Sequence, residues 1–353
     1  LDPVTQGIFG SLFAQAGARA GQMRAAAAAG FVAGLTPDLD VLIRSPADSL
    51  LAIEYHRHFT HALSFAPVLA TLSALVLWPV VRRVWPDAGF ARLWLWSLLG
   101  VASHGLLDAM TSYGTRLFWP FSEWRVAWHA VSVIDPLFTL PLALLLGIGL
   151  WRRRPALALA ATAWAALYLS AGLIQQQRAE QQVRAWAADA GIEARRVIAK
   201  PSFANLLVWR GLVDDGQRLH VVALRLPPWG SAQRWPGASV QRYTVANPPA
   251  DHRLARDLER FRHFSDDWLA RDARYDRPHD GDGRKFVGDF RYAIDPAAGR
   301  PLWGILIQPE DPARPAEFIR ASRVTEQDRN AFLARLAGDD PPHYQAVEDI
   351  TAQ

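Results

Sequence analysis

The run ALALAATAWAALYLSAGLI, residues 156–174, is followed directly by QQQRAEQQ, residues 175–182. The first stretch carries no charge and approaches the ~20 apolar residues that a helix needs to cross a bilayer. The second is polar and amphipathic and reads as the same helix continued into water. The chain therefore changes solvent near Ile174, and the fold class follows from that change. An α-helical membrane bundle is expected over residues 1–174, followed by a soluble α+β domain with an antiparallel sheet over residues 175–353.

Charge supports the division. Residues 1–174 hold 12 Lys/Arg and 9 Asp/Glu, whereas residues 175–353 hold 26 and 25. The net +4 splits into +3 and +1, too diffuse for a nucleic-acid footprint, so no nucleic-acid partner is expected. There are no cysteines, which excludes disulfides, thiolate metal sites and cysteine nucleophiles. The residues after Leu1 lack a basic run, and Gln6 and Gln15 interrupt the first apolar stretch, so a cleaved signal peptide is not expected.

Upstream of residue 156, three more stretches read as spans: Phe59–Val81, Leu93–Ser112 and Val133–Trp151. Val4–Ala18 and Ala25–Ile43 are shorter and read as a membrane-penetrating hairpin whose arms are not convincing spans. Arg19 and Arg24, then Arg82, Arg83 and Arg92, then Arg152, Arg153 and Arg154 occupy alternate loops. Excess positive charge marks cytoplasmic loops, which would place the tryptophan-rich segment Trp119–Trp128 and the whole second half outside the cytoplasm. The competing reading is that these are buried helices of a large soluble protein.

Beyond residue 190, strand-like enrichment occurs at Arg195–Ala199, Asn205–Gly211, Arg218–Leu226, Lys285–Ile294 and Leu302–Gln308. Asp251–Ala270 and Thr325–Ala337 read as helices, and Asp214–Gly216 and Asp280–Gly283 as turns. His220, His252, His263, His279 and His343 lie among charged residues and read as surface groups. The acidic run Asp276–Asp282 reads as a solvated loop, with calcium binding as the alternative.

Ionisable groups inside apolar segments are expensive and need a reason. They occur as Pro37-Asp38-Leu39-Asp40, as His56-Arg57-His58-Phe59-Thr60-His61, as Ser103-His104-Gly105-Leu106-Leu107-Asp108, and as Asp135 before Pro136. With the basic loops cytoplasmic, all four fall at one depth just beneath the outer surface. His104 and Asp108, four residues apart, share a helix face with Cβ atoms about 6 Å apart. Imidazoles and carboxylates together suit a divalent first-row ion, zinc or manganese foremost, as one ion or two. The expected ligands are Asp38, Asp40, His56, His61, His104 and Asp108. Each motif also has a plainer reading. Asp-x-Asp fits a solvated turn, His104 with Asp108 a hydrogen-bonded pair, and Asp135 a helix cap. His58 and His129 would face headgroups, and Arg57 would neutralise carboxylates or grip an anionic substrate.

These motifs resemble the YdjM-type family of inner-membrane-associated proteins described as metal-dependent hydrolases, some of them as LexA-binding. That family shows Thr-His-x-x-x-Gly, Pro-Asp-x-Asp, His-Arg-Gly-Phe-Thr-His, and Ser-His-x-x-x-Asp followed by Thr and Gly. Here they stand as Thr5–Gly10, Pro37–Asp40, His56–His61, Ser103–Asp108 and Thr111–Gly114, with Trp119-Pro120 beyond, covering about residues 1–145. Gln6 replaces the family histidine and His58 the family glycine, which leaves the metal count open.

The resemblance implies a metal-dependent hydrolase in the bacterial inner membrane. Two adjacent cations would suit in-line attack on a phosphoester, and the depth of the motifs suggests a lipid or lipid-linked substrate at the outer face. Asp38, His61, Asp108 and Arg57 are the expected catalytic residues, and Arg57, Thr60 and Thr111 the expected substrate contacts. The rival is a non-catalytic membrane protein that binds or passes a metal through the same cluster; a structural metal beside a partner-binding outer domain is the third reading.

Overall fold

A computed structural model describes residues 1–16, 18–244, 252–277, 283–321 and 323–341. The Asp280–Gly283 turn, the Asp276–Asp282 run, His279 and His343 fall wholly or partly outside those residues. The chain divides into two compact units. The first comprises Leu1–Ile43, Tyr55–Ile174 and Phe203–Asn205, and the second Arg44–Glu54, Gln175–Ser202 and Leu206–Gln353.

The first unit is helical: α1 (Pro3–Ala16), α2 (Met23–Ala33), α3 (Leu51–Tyr55, mostly in the second unit), α4 (Ala66–Val84), α5 (Phe90–Ala109), α6 (Pro136–Arg152) and α7 (Pro155–Asp189, in the second unit from Gln175 onward). Small residues bring the backbones of α1, α2 and α5 together, as in membrane bundles where apolar solvent gives no hydrophobic drive. A Cβ built on Gly30 would lie 2.4 Å from the Gly10 carbonyl oxygen, and one on Gly100 would lie 2.7 Å from that of Gly30. Apolar side chains point outward along α4 (Leu72, Val76, Val80), α6 (Leu140, Leu144) and α7 (Leu159, Leu167, Ile174), a surface suited to lipid chains.

Among the described residues, three helical stretches are long and apolar enough to cross a membrane: Met23–Leu42, Ala66–Val84 and Pro155–Asp189. This departs from the expected set. Met23–Leu42 qualifies because α2 runs on through the 3-10 turn Thr36–Leu42. Helix α6 is shorter, at 17 residues. Helix α5 is outside that set; it carries His104, Asp108 and several Ser and Gly residues that dilute its apolar character. The expected Phe59 span starts only at Ala66, because Phe59–His61 forms a separate 3-10 turn.

The second unit contains two four-stranded antiparallel meanders with α8 (Arg253–Phe264) and α9 (Glu326–Ala337). One sheet runs β1 (Arg196–Pro201), β2 (Val208–Asp214), β3 (Arg218–Arg225), β4 (Gln233–Gln241). The other runs β5 (Leu269–Arg271), β6 (Lys285–Asp289), β7 (Trp303–Ile307), β8 (Glu317–Arg320). The α+β class and antiparallel pairing agree with the sequence reading. Strands β4, β5 and β8 are additions: β4 contains Pro236 and Gly237, β5 is three residues long, and β8 is a half-exposed edge strand. Helix α8 ends at Phe264, short of Ala270, where Asp266 and Asp267 adopt positive φ and turn the chain into β5. Thr325 caps α9 through a capping box with Asp328.

Candidate metal centre

Three pieces of backbone bring the side chains together. Pro37 opens the 3-10 turn Thr36–Leu42, which carries Asp38 and Asp40. Arg57, at φ 61°, reverses the chain into the turn Phe59–His61, which carries Thr60 and His61. Helix α5 presents His104 and Asp108 one turn apart. Gly105 lets the second and third pieces meet: a Cβ there would lie 2.2 Å from the His61 carbonyl oxygen. Only a residue without a side chain permits that approach.

The resulting geometry is tight. His61 Nε2 and His104 Nε2 are 3.0 Å apart. Asp38 Oδ1 lies 3.4 Å from the first and 3.5 Å from the second. Asp108 Oδ2 lies 3.3 Å and 3.5 Å from the same two nitrogens. A regular tetrahedron with edges near these values has its centre about 2.0 Å from each corner, the usual zinc–imidazole and zinc–carboxylate bond length. His61, His104 and Asp108 are buried, while Asp38 is 24% exposed and forms the open edge.

Proton placement makes the same point. His104 Nδ1 lies 2.6 Å from the Gly34 carbonyl oxygen, which only accepts, so that nitrogen donates. In the neutral ring Nε2 is then a lone pair. His61 Nδ1 lies 3.3 Å from Asp40 Oδ2 and 3.0 Å from Thr60 Oγ1, which likewise favours a proton there and a lone pair on Nε2. Two imidazole lone pairs and two carboxylate oxygens thus converge inside an apolar bundle. A bound cation satisfies all four. The Gln6 side-chain oxygen, fully buried beside them, has no hydrogen-bond partner, while its amide donates to Asp108 Oδ1 at 2.8 Å.

Of the six expected ligands, four form this group. Asp40 and His56 join Asp38 in a second group that could also hold an ion, its ligand atoms within 4.8 Å of one another. Asp40 additionally stands behind His61: its Oδ2 accepts from Arg57 N at 2.9 Å and Thr60 Oγ1 at 3.1 Å, and its Oδ1 meets His56 Nδ1 at 2.9 Å. Arg57 is buried, with Nε 3.0 Å from Asp108 Oδ2, Nη1 donating to Thr111 Oγ1 at 2.7 Å, and its guanidinium over the Tyr113 ring. Thr111 Oγ1 in turn donates to the Asp108 carbonyl at 2.8 Å.

Asp135 stands apart from both groups. It caps α6 and accepts from Tyr168 Oη at 2.9 Å. His58 Nε2 meets Arg116 Nη1 at 2.8 Å. Sequence reasoning passed over Gly34, Gly105 and Tyr113 as individual contributors. The available signal was a glycine next to His104 and an aromatic between Thr111 and Gly114.

The YdjM inner membrane protein family profile matches residues 1–179. The chain is 32% identical over 149 residues to inner membrane protein YbcI of Escherichia coli (strain K12), covering 36% of this chain and 83% of that protein. It is 35% identical over 101 residues to the uncharacterized protein YfhP of Bacillus subtilis (strain 168), covering 28% of this chain and 29% of YfhP. No solved structure matches significantly. The matched region holds every residue of both groups, and by that match the chain belongs to the YdjM inner membrane protein family.

Proposed function

We propose that this membrane protein is a metal-dependent hydrolase whose substrate is a phosphoester in a lipid or lipid-linked molecule. The supporting observation is the convergence of Asp38, His61, His104 and Asp108, with ligand atoms within 4.8 Å of one another and open at Asp38. These four residues would hold one divalent ion, zinc or manganese, and Asp40 and His56 would share Asp38 with a second. Bound there, the metal supplies a water of lowered pKa and polarises the scissile group.

The chain's own residues have distinct tasks in this reading. Asp38, the most exposed of the four, would be the ligand at the side where water and substrate reach the group. Arg57 offsets the charge of Asp108; its burial and its bonds to Asp108 and Thr111 favour that role over gripping substrate. Thr60 orients His61, and Thr111 orients Arg57. The apolar outer surfaces of α4, α6 and α7 support the reading of a substrate that lies among lipids. The basic loops favour an arrangement in which the spans cross several times, the site lies at the outer face of the inner membrane, and the second unit is extracytoplasmic.

The test is phosphate release from lipid phosphoesters by purified, metal-loaded protein, with His104→Ala and Asp108→Ala as controls. Turnover lost in both variants is expected. Turnover surviving both would overturn the assignment, and metal binding without turnover would favour the non-catalytic reading.

A further inference from the structure

The two ligand-bearing turns flank a segment that belongs elsewhere. Residues 38–43 and 55–61 lie in the first unit, but Arg44–Glu54 between them is part of the second. Its attachment there is specific. Arg260, on α8, donates from Nε to Glu54 Oε2 at 2.8 Å and from Nη1 to Asp48 Oδ1 at 3.1 Å. Arg253 Nη2 lies 3.3 Å from Asp48 Oδ2. Ser49 Oγ donates to the Ala316 carbonyl at 3.1 Å and accepts from Phe318 N on β8 at 2.8 Å. Leu50 is fully buried.

Asp40, four residues before the segment, and His56, two residues after it, are paired within the first unit. Asp40 Oδ1 meets His56 Nδ1 at 2.9 Å, and Asp40 Oδ2 accepts from Arg57 N. Glu54 belongs to α3 (Leu51–Tyr55), and His56 is the next residue after that helix. A grip on Glu54 therefore sets the rotation of the short element that delivers His56. Through Asp40 it also bears on the proton-bearing nitrogen of His61.

We propose that Arg260 is a positioning residue for the metal centre, acting through Asp48 and Glu54 on the Asp40–His56 pair. This rests on the reading that the cluster holds a metal. Arg260 touches neither group of ligands. Groups that orient metal ligands typically change affinity 10- to 100-fold when removed, and an effect relayed through α3 belongs at the lower end, about tenfold.

The full chain in detergent, titrated with cobalt(II) alone, tests this through binding and the visible absorption of the bound ion. Arg260→Gln is expected to weaken cobalt binding about tenfold and alter the absorption bands, with Arg260→Lys recovering part of both. A lowered melting temperature with unchanged cobalt affinity and spectrum would reduce Arg260 to a structural role and overturn the proposal, while leaving the metal reading intact. No cobalt binding by the wild type would overturn both. Should Arg260→Gln fail to fold, the double variant Asp48→Asn/Glu54→Gln decides in the same way, because Arg260 keeps its bond to Asp257.

Discussion

Replacing Gly105 by alanine adds one methyl group to one of the most crowded points of the first unit. The new Cβ would lie 2.2 Å from the His61 carbonyl oxygen, whereas real Cβ contacts essentially never fall below 3.0 Å. The turn Phe59–His61 and helix α5 must therefore separate by at least about 0.8 Å, the difference between those distances. Both neighbours are backbone, and the His61 turn is itself tied by bonds to Asp40, so neither yields as a flexible side chain would. Overpacking of this kind costs about 1–3 kcal/mol of stability. The effect on the centre is larger in proportion. His61 and His104 Nε2, now 3.0 Å apart, would move out of range of a common ion with bonds of about 2.0 Å. Metal affinity is expected to fall about 100-fold, while the helices still form. Metal content after dialysis, cobalt titration and thermal unfolding read the two effects separately. Gly147→Ala, in α6 with nothing within 4 Å of the added Cβ, is the control and should leave both unchanged. Gly105→Ala protein with wild-type metal content and affinity would refute the claim that this close approach builds the site.

Asp40→Asn should lower metal affinity 10- to 100-fold with the four-residue group intact, because it weakens the acceptor that orients His61; Asp135→Asn, which touches only a helix cap and Tyr168, should leave cobalt titration unchanged. Arg57→Gln removes one charged partner of a buried carboxylate that keeps its bond from Gln6, and should destabilise the metal-free first unit by about 1.5–3 kcal/mol, with added metal recovering part of it in thermal unfolding. In the second unit, burial raises the Asp48 carboxyl, but hydrogen bonding and charge from Arg260 and charge from Arg253 outweigh it and hold it below the usual range. Burial likewise raises Asp215, and the hydrogen bond from His220, the backbone N–H groups of Arg218 and Gln217 and the charge of His220 together outweigh it and hold it below the usual range. A lowered folded pKa gives stability that is complete above the unfolded carboxylate value and is lost as pH falls through the folded one. Near-ultraviolet circular dichroism should therefore show the second unit weakening below about pH 4, less steeply in Asp48→Asn.

Much of this was legible from residue order alone. Apolar length and the polar switch after Ile174 separated helices from sheets, since both are properties of consecutive residues. His104 and Asp108 were readable as a pair because a helix puts residues four apart on one face, and the Pro-Asp-x-Asp and His56–His61 motifs marked the other contributors. Thr325 was visible as the start of α9. Short or interrupted strands were not: β4 contains proline and glycine, and β5 exists through pairing with β6 rather than through its own pattern.

Tertiary structure decided which side chains are grouped closely enough to share an ion. Nothing in the spacing of Asp38, Asp40, His56 and His61 says that Asp38 faces both imidazoles while Asp40 stands behind one of them. That division depends on a 3-10 turn, a left-handed Arg57 and the missing side chain of Gly105, all of which act across the chain. Residues 44–54 show the same limit, because a segment between two membrane-unit motifs was claimed by a helix and a strand some 200 or more residues further on. Local pattern determines what each segment can become. Which segments meet depends on the three-dimensional fit of backbones, and for that fit one absent methyl group carries as much information as a histidine.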